Sequence, residues 1–89
     1  MDLQFKRNVA FTKLVKINNR LREFNFRQLP NAPHELFHVD TSDDRGNRII
    51  FRMQKEDNSG HWHILEQPLP KWISDSETSL DEAIEQEII

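Results

Sequence analysis

The chain has 89 residues, 36% of them hydrophobic and 30% charged, with no cysteine and a formal net charge of −3. That length accommodates one domain and not two, and the lack of cysteine excludes disulfides, thiolate metal sites and cysteine nucleophiles. No run approaches the roughly 18 apolar residues of a membrane span, and Lys6, Arg7, Lys13 and Lys16 interrupt any signal-peptide core.

These bounds predict a single domain over residues 1–89, placed in the cytoplasm and off the membrane. From Leu3 to Arg22, Val9, Ala10, Phe11, Leu14, Val15 and Leu21 recur at helical spacing with no proline among them. The spacing predicts a first amphipathic helix whose polar face carries Lys6, Lys13, Lys16 and Arg20. At Glu23 to Arg27 the period switches to two, with Phe24 and Phe26 on one side, as a half-buried strand requires. Leu29 to Pro33 contains two prolines, which cannot donate ladder hydrogen bonds, and reads as a loop.

The segments His34 to Asp40 and Asn47 to Met53 flank Thr41 to Gly46, whose Ser, Asp and Gly residues suit a reversal, so these form a hairpin. A second turn over Glu56 to Gly60 leads into His61 to Glu66. Strand alternation places Phe37, Val39, Phe51, Met53, Trp62 and Ile64 on an inner face. Pro68 and Pro70 close that strand. The Ser74-x-x-Glu77 and Ser79-x-x-Glu82 spacings announce a helix with Leu80, Ala83, Ile84 and Ile88 on its apolar side.

The resulting expectation is an α+β fold of order α-β-β-β-β-α: a four-stranded antiparallel meander with the N- and C-terminal helices on one face. Charge divides along the chain. Seven basic residues oppose two acidic ones through Arg27, and one basic opposes six acidic ones after Glu66. Two oppositely charged helices lying side by side would account for that division.

Helix, strands, helix resembles the element order of double-stranded RNA-binding domains. Those domains place a lysine-rich motif at the start of their last helix. Here Ser74 to Glu82 carries Asp75, Glu77, Asp81 and Glu82 instead, which phosphates repel.

His61 and His63 project from one side of a strand, but zinc needs three or four converging ligands. His38 and Asp40 lie two strands away, about 10 Å off, beyond Arg48 and Arg52. We therefore expect no metal, no cofactor and no catalytic residues. The sheet's outer face gathers Leu36, His38, Ile50, Arg52, His63 and Leu65, apolar residues within a polar rim. Those six are the candidate binding residues. The expected function is association with another protein, or with a second copy as a homodimer, through the open sheet face or an edge strand. Nucleic-acid binding through the basic first helix is the alternative reading.

Overall fold

The computed structural model describes residues 9–29, 35–56, 59–66 and 68–88. It is a small α+β domain with a curled antiparallel sheet, but among the described residues the sheet has five strands and the helices lie only at the C-terminal end. The strands are β1 (Ala10–Ile17), β2 (Arg20–Gln28), β3 (Leu36–Ser42), β4 (Arg48–Lys55) and β5 (Trp62–Ile64), in spatial order β1-β2-β3-β4-β5. They are followed by α1 (Lys71–Ser74) and α2 (Glu77–Ile88).

The expected first helix is corrected by this arrangement. Its span from Ala10 onward is the β1–β2 hairpin, and residues 3–8 of that expectation lie outside the described residues. Asn18 and Asn19 take left-handed φ values of 51° and 68°. This is the two-residue turn whose twist matches that of paired strands, and Asn tolerates it better than most side chains. Phe11, Val15 and Ile17 then alternate inward, opposite Phe26, Arg22 and Arg20. The helical spacing of Phe11, Leu14 and Val15 was coincidental, because Leu14 faces the other way.

The resemblance in element order to double-stranded RNA-binding domains goes with the helix. The basic segment still meets the acidic one, as hairpin against helix: Lys13 Nζ lies 3.1 Å from Glu87 Oε2.

The remaining meander follows the expected course, with Val39 paired to both Phe26 and Phe51 and Met53 paired to Ile64. His34 and residues 30–33 of the expected loop lie outside the described residues, as do residues 57 and 58 of the second turn. At the β3–β4 reversal, the N–H groups of Arg45 and Asn47 both donate to Asp43 Oδ1, at 2.9 and 2.8 Å. The Asn47 backbone N–H chiefly holds the Asp43 carboxyl below its ordinary value of 3.8. Desolvation opposes this, and the Asn47 side chain and Arg45 assist.

The inner face forms the core. Phe24, Phe26, Phe37, Val39, Phe51, Met53 and Trp62 are buried beneath Ile73, Leu80, Ala83 and Ile84 of the helices. Phe37 meets Trp62 edge-on at 5.1 Å between ring centroids, and Phe11 stacks on Phe26 at 4.8 Å. Trp72 lies across Phe24 with the Arg22 guanidinium 4.2 Å above its ring. The sheet curls far enough for α2 to contact both terminal strands, β1 and β5.

Candidate functional site

The candidate surface is the sheet's outer face together with its two edges. Cross-strand pairing arranges the outer side chains in rows. One row runs Ala10–Arg27–His38–Arg52, the next runs Thr12–Asn25–Asp40–Ile50, and a third joins Leu36, Gln54 and His63. Leu65 donates its N–H to the Arg52 carbonyl at 2.9 Å and so extends the first row.

The six expected binding residues therefore share one face but not one patch. His38, Arg52 and Leu65 share a row, and Leu36 and His63 share another. Ile50 stands two rows from Leu36, roughly 13 Å along the strands.

The polar groups of this face are occupied with one another. Thr12 Oγ1 donates to Asn25 Oδ1 at 2.7 Å, and Asn25 Nδ2 donates to Asp40 Oδ1 at 3.0 Å. Arg48 closes onto the same Asp40 oxygen. The Arg52 backbone N–H and Nε both donate to the Glu66 carboxylate. A shallow depression of about 360 Å³ over Thr12, Asn25, Arg27, His38 and Asp40 lies on this network. None of the hydrogen bonds among the described residues joins His38 to Thr12 or to Asp40, so no nucleophile is paired with a base there.

His61 stands exposed and His63 half-buried beside the buried Trp62. Each meets a carboxylate: His61 Nδ1 lies 2.9 Å from Asp81 and His63 Nε2 lies 2.9 Å from Glu56. Among the described residues no group of three or more His, Asp or Glu side chains is arranged to hold a metal ion. Among them, too, no helix is long and apolar enough to cross a membrane.

The two edges differ. On β5 the N–H groups of Trp62 and Ile64 point away from β4, and carboxylates of α2 receive both. Trp62 N donates to Asp81 Oδ1 at 2.9 Å and Ile64 N to Glu77 Oε2 at 2.7 Å. The Trp62 indole N–H adds a bond to Glu85 Oε2 at 2.8 Å. Glu77, Asp81 and Glu85 repeat every four residues, hence on one stripe of the helix. In the sequence that spacing is the same as that of any solvated helix face; in the fold the stripe caps an edge strand.

On β1 the two-residue turn fixes Ile17 and Arg20 as a hydrogen-bonded pair. Bonding to β2 therefore falls on the odd-numbered residues, a pattern continued by Gln28 N donating to Val9 O at 2.8 Å. The backbone groups of Ala10, Thr12, Leu14 and Lys16 point outward, and all four side chains are exposed. Among the described residues nothing pairs with that edge. Beside it stand the two most exposed large apolar side chains, Leu14 at 62% and Leu21 at 65%, ahead of Ile50 at 54% and Leu65 at 40%. Sequence reading missed this pair because a helix placed them on its buried side. The available signal was Asn18-Asn19 between two alternating segments.

Comparison of the chain with protein-family models, with curated proteins and with solved structures finds no match.

Proposed function

We propose that this domain is a non-catalytic association module that takes an added strand on its β1 edge, with the adjoining outer face as the contact surface. One observation carries the reading: the same sheet caps the backbone of its β5 edge with two helix carboxylates, while among the described residues four of the eight residues of β1 keep outward backbone donors and acceptors with no partner strand. Such a row is a template for another chain, because main-chain hydrogen bonds supply affinity and alternating side chains supply selection. Leu14 and Leu21 give the added strand apolar surface on the outer side. The originally expected residues His38, Ile50, Arg52, Leu65, Leu36 and His63 continue that face away from the edge and form its polar and apolar periphery.

The test is selection of short unstructured peptides from a displayed library on the immobilised domain. Recovered peptides are expected to slow amide exchange at Thr12, Leu14 and Lys16 and to lose binding to Leu14→Pro. That substitution removes an outward N–H while leaving the bonds to β2 intact. Peptides that protect other amides and bind Leu14→Pro undiminished would overturn the reading.

A further inference from the structure

We infer that the strand added to β1 is β1 of a second copy, antiparallel, with Leu14 on the two-fold axis. This rests on the reading of β1 as the association edge and names its partner. Only even-numbered residues of β1 have outward backbone groups, so an antiparallel copy is confined to a few registers.

Centring on Lys13 would set two lysines directly opposite one another, and centring on Lys16 would do the same. Like charges so placed are destabilising. Centring on Thr12 puts Leu14 beside Ala10, and centring on Val15 puts it beside Lys16, so both leave the exposed leucines apart.

Centring on Leu14 does neither. It sets Leu14 beside Leu14, Thr12 beside Lys16, Lys13 beside Val15 and Phe11 beside Ile17. Apolar residues then meet on both faces of the joined sheet. Lys13, the cation nearest the axis, is already held by Glu87 at 3.1 Å, and Lys16 meets Thr12. On the outer face Leu21 lies diagonal to Leu14, since Lys16 is its direct partner across the hairpin. The four leucines of two copies therefore make one stripe across the axis, covering the most exposed large apolar side chains of the described chain.

The chain contains no cysteine, so single substitutions read the register directly. A hydrogen-bonded antiparallel pair has Cα atoms about 5.5 Å apart, within the range a disulfide spans. Leu14→Cys is expected to give a disulfide-linked dimer under mild oxidant. Thr12→Cys alone and Lys16→Cys alone are not, because each lies about 13 Å from its own copy. Mixing Thr12→Cys with Lys16→Cys is expected to link the two.

Sedimentation equilibrium supplies the second measurement. Wild type is expected to dimerise, and Leu14→Asp to weaken the dimer on the order of tenfold or more by opposing two carboxylates at the axis. Circular dichroism establishes that each variant folds. A wild type that stays monomeric at hundreds of micromolar, while library peptides still protect β1, overturns the second copy and leaves the edge reading standing. A dimer that survives Leu14→Asp and Leu14→Pro overturns the second copy at β1, and the edge reading is then decided by the peptide experiment alone.

Discussion

At one end of the sheet the outward N–H groups of Trp62 and Ile64 terminate on carboxylates of α2. At the other, the backbone of Ala10, Thr12, Leu14 and Lys16 faces outward beside two exposed leucines. The difference follows from where the chain goes next. After β5, Pro68 and Pro70 stop the strand and turn the chain into α1 and α2, so a helix arrives at that edge with acceptors in its own sequence. Among the described residues, β1 meets α2 on its inner side, where Lys13 pairs with Glu87, and no helix group receives its outward backbone. Edge strands commonly carry lysines that discourage pairing. On β1 those lysines disfavour the registers centred on Lys13 and Lys16, and the exposed leucines favour the one centred on Leu14.

The comparison is broken most directly at Asp81. Its two oxygens serve Trp62 N and His61 Nδ1, and its side chain is only 11% exposed. Asp81→Ala leaves the buried Trp62 N–H without an acceptor, which is expected to cost about 2–3 kcal/mol in urea unfolding. Asp81→Asn keeps one acceptor and is expected to cost less. Equal and negligible losses for both would mean that α2 does not cap this edge.

Trp62 tests the outer half of the same cap. Trp62→Phe removes the indole N–H that meets Glu85 and shrinks a ring packed on Phe37, for an expected loss of about 1–2 kcal/mol. A double-mutant cycle with Glu85→Ala separates the two contributions. Coupling of about 1 kcal/mol is expected from the hydrogen bond, and strict additivity would assign the loss to packing alone.

The β3–β4 hairpin lies at neither edge and serves as the control. Because Asp43 is held below its ordinary 3.8 in the fold, its contribution is fully present above that value and is lost as pH falls through the lower folded value. Asp43→Asn is expected to flatten the acid limb of the stability curve by lowering the plateau above about pH 5, with little change at the acid end, where the wild-type carboxyl is already protonated. An NMR titration placing the Asp43 carboxyl at or above 3.8 would contradict the turn geometry.

How far the sequence could be read depended on what decided each element. β3, β4 and the face of Trp62 were legible because alternation there was bounded by Asp, Ser and Gly at the turns and faced a single core. β1 was not, since Phe11, Leu14 and Val15 satisfy a helical spacing as well as part of an alternating one, and helix propensity carried no penalty for choosing wrongly. The two asparagines at 18 and 19 were the deciding local signal, weaker than Asn-Gly and so easily passed over. The β5 cap was illegible for a different reason: Glu77, Asp81 and Glu85 have the spacing of any solvated helix face. Only the tertiary placement of α2 against an edge strand gives them partners.

The smallest expected effect is the one that separates the two edges most sharply. Leu14 and Leu21 expose most of their surface, so in the isolated chain their removal forfeits little burial. Leu14→Ser and Leu21→Ser, measured by urea unfolding at micromolar concentration, are each expected to change stability by no more than about 0.5 kcal/mol. Serine also lowers strand propensity slightly, which sets the sign of any residual change. At hundreds of micromolar the same substitutions are expected to lower the apparent stability relative to wild type, because only the wild type then gains from self-association. A loss above about 1 kcal/mol in the dilute measurement would show that these leucines are already covered within one chain, and the β1 edge would then have no claim to be the surface left for a partner.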